Sequence, residues 1–272
     1  MAGRLGRTVG IAVTGVFCIS AIPHVIPGTF KRLFRTKDTP VPPELVDHVH
    51  EIARAMHIQN PDRIKVFTTT HFSCFNGGAT WLPGGAFIGL SRTLLYSSEE
   101  DIKTSGITLY GKPIDWDSKD GATLQRCFLQ SQNQIDFCIA HELAHIKSSD
   151  FVMSTLLLPG TVLTSYAVLR LVSPYLSAKQ SKLAAPVAFG VGMLIYLQLQ
   201  TSLNYFIEHK ADRIAAQIDR RFVDGGIEMM RKGMQLNSIL KTELGRSKMP
   251  FGLGSSHPRF SARLRRLQKL VT

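Results

Sequence analysis

The run HELAH at residues 141–145 offers two imidazoles and a carboxylate at a spacing that suits a divalent metal. On a helix, positions four apart share a face, so His141 and His145 can reach one ion. Neutral imidazole is a good zinc ligand. Glu142 then lies beside the metal without binding it, placed to take a proton from an attacking water. Ala144 is small and lets the chain come close. A catalytic zinc takes three protein ligands and keeps one position open. The run EHKAD at 208–212 lies well downstream and supplies Glu208 as the third ligand, from a second helix. Asp212, one turn further on, is placed to hydrogen-bond a ligating imidazole and orient it. His257, before Pro258, is a weaker catalytic candidate, because a lone histidine more often caps a helix or faces solvent. The implied cofactor is one Zn2+ per chain. No cysteine stands near either motif as a fourth ligand, the arrangement of a closed structural site. Reading HELAH as a surface helix with two unrelated histidines leaves the matching EHKAD unexplained.

These motifs must be brought together by what lies between them. Phe151–Val172 and Leu183–Ile207 are long apolar segments, the second without a single charge. Each is long enough to cross a bilayer as a helix. Joined by a short turn with Pro174, Lys179 and Lys182, they form a hairpin that leaves and returns on one side, so the two motifs can meet. Pro159 and Gly160 predict a kink or break in the first arm. The polar end of the second arm (Gln198, Gln200, Ser202, Asn204) keeps open the alternative of a hairpin buried in a soluble core. A third segment, Thr8–Phe30, has no charge, and its continuous apolar character fits an uncleaved anchor better than a signal peptide. Pro23 and Pro27 weaken its second half as a helix.

The remaining chain reads as soluble structure. Pro40, Pro42 and Pro43 mark a linker, and a helix starts near Glu44 with Leu45, Val49, Ile52 and Met56 on one face. Ile64–Thr70 and Ala86–Leu90 read as strands, separated by turn residues around Gly77 and Gly78. Tyr96–Gly121 reads as a polar loop. Helices follow at Ile135–Lys147, near Ile227–Leu240, and at Pro258–Val271 with Phe260, Leu264, Leu267 and Val271 aligned. The expected fold is α+β and mainly helical: a gluzincin-type metallopeptidase domain with a small β-sheet and two to three transmembrane helices. Its parts are 1–37 (basic segment and anchor), 38–150 (soluble, ending in the HELAH helix), 151–207 (membrane hairpin) and 208–272 (helical tail with the third ligand). A peptide substrate is expected to lie extended along Ala86–Leu90.

The net charge of +12 is concentrated at the ends. Residues 1–37 hold six Lys or Arg and no acid, and residues 208–272 hold fourteen basic and six acidic residues. Because these ends adjoin apolar segments, the excess favours a membrane over a nucleic acid as partner, and no nucleic-acid-binding motif is present. The acid-free, Arg-containing start leans towards mitochondrial import. If the flank Lys31–Lys37 stays in the matrix, three crossings put the N-terminus opposite the catalytic motifs. The four cysteines form no CxxC pair and read as free thiols.

The order of HELAH, hairpin, EHKADRIAA and SHPRFSARLRRL resembles that of the HtpX-like and CAAX-prenyl-protease-type membrane metallopeptidases, over roughly residues 45–270. GGAFIGLSRTLL is similar to their substrate-side strand. The resemblance implies a gluzincin site (His141, His145, Glu208, with Glu142 as base) and endopeptidase action on membrane or membrane-proximal proteins. PVPPEL, VFTTTHF and LYGKPIDWDSKDGATL further resemble the transmembrane protein 177 family of the mitochondrial inner membrane, across nearly the whole chain. That narrower resemblance implies a multi-pass inner-membrane protein. It also implies partners in cytochrome c oxidase assembly, at the biogenesis of its second subunit.

Overall fold

A computed structural model describes residues 2–26, 40–69, 73–109, 111–244 and 258–271. His257 and the basic flank Lys31–Lys37 lie outside the described residues. The fold is mainly helical with small sheets, and three of its helices are long and apolar enough to cross a membrane: Gly6–Val25, Asp150–Tyr175 and Lys182–Ala216.

In chain order, α1 is Ala2–Val25, α2 Pro43–Ala55, β1 Ile64–Thr69, β2 Phe75–Gly78 and β3 Ala86–Ser91. Then come α3 Glu99–Thr104, β4 Thr108–Leu109, β5 Lys112–Pro113, α4 Lys119–Phe128 and α5 Gln132–Ser148. The last four helices are α6 Asp150–Val172, α7 Ala178–Ala216, α8 Arg220–Leu244 and α9 Phe260–Gln268.

α5 carries HELAH and is the centre of the molecule. It starts at a reciprocal cap in which Ser131 and Gln134 satisfy each other's backbone N–H. Phe137, Ile139, Ala140, Leu143 and Ala144 are all buried, so the helix is covered on nearly every side. Burying each of the larger of these side chains contributes about 1.5–3 kcal/mol. α8 packs against α5 backbone to backbone at Gly225. A Cβ at Gly225 would come within 2.0 Å of Asn133 O, so only glycine permits this approach. α2 lays Val49, Ile52 and Met56 onto the same core.

The sheet has the order β1-β3-β2, with β3 parallel to β1 and antiparallel to β2. β2 occupies a stretch read from the sequence as turn, because Gly77 and Gly78 have low strand propensity. The structure needs them small: a Cβ at Gly77 would come within 2.3 Å of the Phe87 ring. β3 is therefore central, paired on both sides from Ala86 to Gly89, and cannot take an added substrate strand as expected. The outer strand nearest α5 is β2. The stretch Tyr96–Gly121 is likewise not a plain loop. It contains α3, capped reciprocally by Ser98 and Asp101, and the β4–β5 hairpin, and it runs into the start of α4. These elements close over a separate small core of Ile102, Leu124, Phe128 and Ile239.

The hairpin α6–α7 presents its apolar side chains outward, with Leu171 72% and Leu194 68% exposed. Such exposure suits lipid and contradicts burial in a soluble core. α6 runs through Pro159 and Gly160 without a break. Thr161 and Thr164 donate their hydroxyls back to Leu157 O and Gly160 O, so their polar groups are satisfied within the helix itself. α7 is a single helix of 39 residues, so the membrane arm and Glu208 share one rod. α1 packs on α6. Its end is fixed where Gly78 N donates to His24 Nδ1 at 3.3 Å and the His24 ring stacks on Phe151. The end of α1, the start of α6 and the end of α7 thus all lie at the soluble part, and the start of α1 lies at the far end. The exposed Trp81 donates its indole N–H to Ser149 Oγ beside Phe151. It is an aromatic at the expected level of the membrane surface.

Candidate metal centre

His141 and His145 face each other across one turn of α5, with their Nε2 atoms 3.2 Å apart. Glu208, from α7, approaches both: its carboxylate oxygens lie 3.5 Å from His141 Nε2 and 3.7 Å from His145 Nε2. All three residues are buried, and their ligand atoms lie within 4.8 Å of one another. Ligands about 2.0–2.1 Å from a tetrahedral zinc stand roughly 3.3–3.4 Å apart, so the His141–His145 edge fits such an ion, with Glu208 presenting Oε2 to the first imidazole and Oε1 to the second.

The outer ring nitrogens are equally constrained. His141 Nδ1 lies 3.0 Å from Asp212 Oδ1, and His145 Nδ1 lies 3.0 Å from Asp150 Oδ2. With each Nδ1–H donating to a carboxylate, each Nε2 lone pair turns to the common centre. Both carboxylates are in turn held by a cation. Arg263 of α9 binds Asp212 through Nε at 2.8 Å and Nη2 at 2.6 Å, and its Nη1 lies 3.2 Å from Glu208. Lys210 of α7 binds Asp150. The site is thus built twice on one pattern: imidazole, carboxylate, cation.

Four carboxylates (Glu142, Asp150, Glu208, Asp212) and two cations (Arg263, Lys210) occupy this cluster, all but Lys210 buried. Two negative charges remain uncompensated in a poorly hydrated place, a costly state that a divalent cation relieves. The protein without metal answers with a proton. Burial alone would lower the His141 pKa, but Asp212 and Glu208 beside it push it up to about 10. Burial likewise opposes the charge on Arg263, and the same acids outweigh it and raise its pKa.

Glu142 is not one of the three convergent ligands, and its Oε2 accepts from Asn76 Nδ2 of β2 at 2.7 Å. A cavity of about 530 Å3 opens beside it, reached by His141, Glu142, Glu208 and Arg263, with Phe128, Met229 and Leu236 among its apolar walls. Cys74 and Cys138 also line this cavity, close to the motif where no cysteine was expected, though neither joins the ligand cluster. Sequence reasoning thus singles out His141, Glu142, His145, Glu208 and Asp212, which the fold brings together. It misses Asn76, Asp150, Lys210 and Arg263. A signal exists for Arg263: it stands four residues before Leu267 and three after Phe260, on the face of α9 that the apolar pattern marks as inward. His48 and His50 lie elsewhere, bonded to Asp136 and Ile64 O.

Residues 42–271 match the model of peptidase family M48. Transmembrane protein 177 of Homo sapiens is 27% identical over 97% of this chain and 88% of its own length. Transmembrane protein 177 of Danio rerio is 24% identical over 86% of this chain and 80% of its own. No solved structure gives a significant match.

Proposed function

The chain belongs to peptidase family M48, and from that we propose that it is a zinc-dependent endopeptidase of the mitochondrial inner membrane, acting on membrane or membrane-proximal proteins. The observation that carries this reading is the convergence of His141 Nε2, His145 Nε2 and Glu208 in one buried cluster, with each imidazole backed by a carboxylate. His141, His145 and Glu208 would hold the ion. When bound, zinc would polarise a peptide carbonyl and make water a stronger acid at neutral pH.

The chain's own residues supply the rest. Glu142 takes a proton from the attacking water and passes it to the leaving amine. Asn76 donates to one Glu142 oxygen and leaves the other free to accept that proton. The start of β2, where Phe75 and Asn76 are partly exposed, is the place for an extended substrate backbone, one strand away from the paired β3. The cavity beside Glu142 receives a side chain of the substrate, and its walls favour an apolar one. The acid-free basic start and the resemblance to the transmembrane protein 177 family support the mitochondrial setting.

Metal analysis of the detergent-purified protein tests the site directly. About one zinc per chain is expected, falling to near zero in His141→Ala. Purified, folded protein with no zinc would end this reading. A second measurement concerns protons. Zinc requires neutral imidazole, and His141 without metal is protonated up to about pH 10. Zinc uptake at neutral pH should therefore release about one proton, and affinity should climb roughly tenfold per pH unit until that value. Calorimetry in buffers of different ionisation enthalpy reads the proton count. The raised pKa also means that the pairing of His141⁺ with its acids stabilises the metal-free fold. That stabilisation is fully present below the unfolded value near 6.5 and is lost as pH rises through about 10.

A second reading is a non-proteolytic factor in cytochrome c oxidase assembly. The similarity to transmembrane protein 177 across 97% of the chain favours it.

A further inference from the structure

Two thiols that the chemistry above does not use stand against each other at the wall of the cavity. Cys74 lies two residues before Asn76, next to β2, and Cys138 lies one helical turn before Glu142 on α5. The strand and the helix therefore meet twice in register. Asn76 bonds Glu142 at 2.7 Å, and the thiols of Cys74 and Cys138 come within hydrogen-bonding reach of one another. Both line the 530 Å3 cavity with His141 and Glu142. Ser91 N donates to Cys74 Sγ at 3.4 Å, which seats that sulfur against β3 as well.

We propose that Cys74 and Cys138 are a modification site, oxidised reversibly by a peroxide to a disulfide that pins the substrate-edge strand to the HELAH helix. The two residues differ in access. Cys74 is partly exposed and Cys138 is buried, so Cys74 meets the oxidant and Cys138 resolves it. The Cys74 sulfur attacks hydrogen peroxide, the O–O bond breaks, and Cys74 sulfenic acid and one water result. The Cys138 sulfur then displaces hydroxide from Cys74, forming the S–S bond and a second water. Overall, two thiols lose two electrons and two protons, and one peroxide is reduced to two waters. A dithiol reverses the step by exchange. The Cys138 S–H donates to Cys74, and this bond together with burial raises the Cys138 pKa, so the resolving attack by Cys138 is the slower of the two steps.

A disulfide brings two sulfurs to about 2.05 Å, closer than any hydrogen-bonded contact. Closing it draws the start of β2 towards α5, narrows the cavity mouth and fixes the strand edge. The effect on hydrolysis rests on the peptidase reading, whereas the bond itself does not.

The test uses full-length protein in detergent, treated with hydrogen peroxide, beside Cys74→Ser and Cys138→Ala. Four free thiols are present before oxidation. The expected result is a fall to two, a Cys74–Cys138 linked peptide by mass spectrometry under non-reducing conditions, recovery with dithiothreitol, and unchanged zinc content. Neither variant should yield the linked peptide. Oxidation that stops at Cys74 sulfinic acid overturns the proposal, as does a link of either residue to Cys127, or zinc lost on oxidation. Should the chain prove inactive on peptides, the linked peptide and thiol count still read the bond.

Discussion

Glu142→Gln should abolish peptide hydrolysis while leaving one zinc per chain. The amide keeps the length of the side chain and can still pair with Asn76 after turning its oxygen to the donor. It cannot accept the proton of water. General-base transfer of this kind contributes about 10²–10⁴ in rate, so the turnover of a quenched-fluorescent peptide or a membrane-anchored reporter should fall by at least ~100-fold. Because Glu142 is not among the three convergent ligands, the metal content separates loss of chemistry from loss of the site. The same variant also divides the two functional readings. If it restores cytochrome c oxidase assembly in cells lacking the wild-type chain, hydrolysis is not what those cells require. If it fails while its zinc and its abundance are normal, hydrolysis is the function.

The second large effect is expected at Arg263. This guanidinium is 6% exposed and binds Asp212 in a fork while lying against Glu208. Replacing it with leucine keeps apolar volume in the core but takes from the buried Asp212 its forked partner, leaving His141 alone beside it, and removes the cation that lies against Glu208. Breaking a buried pair from one side costs about 3–5 kcal/mol, which for a chain of this size is on the order of 10 °C in Tm. A thermal-shift measurement in detergent reads it, and an unchanged Tm would remove Arg263 from the framework of the site. Arg263→Lys should recover only part of the loss, since an ammonium gives a point charge and not a planar fork.

How far these residues are legible in the sequence differs one by one, and the reasons are physical. HELAH and EHKAD can be read because ligand chemistry constrains residue type and a helix constrains spacing. The hairpin can be read because a bilayer demands length and apolarity, whatever the tertiary contacts. Arg263 is harder to see. It stands among Arg259, Arg265 and Arg266, and identity alone does not say which one is buried. Only the face shared with Phe260 and Leu267 does. Asp150 is hidden by the left-handed joint at Ser149, with φ of 50°. That joint turns the chain back so that a residue five positions after His145 reaches its ring. β2 escapes a local reading because Gly77 answers to the Phe87 ring packed over it and Gly78 to the Gly85 carbonyl, demands of the folded sheet that override propensity. The pattern divides α7 in two at the change from apolar to charged residues, although backbone hydrogen bonding runs unbroken across that change.

The continuity of α7 also orders events during synthesis. His141 and His145 leave the ribosome first, on a helix that has no third ligand. Glu208 follows only after both arms of the hairpin, near the far end of its long rod, and Arg263 comes last of all. A chain halted before residue 208 holds half a site. Completing the ligand set therefore requires both apolar arms to have been made and paired first, so the segments that would cross a membrane also stand between the two halves of the centre.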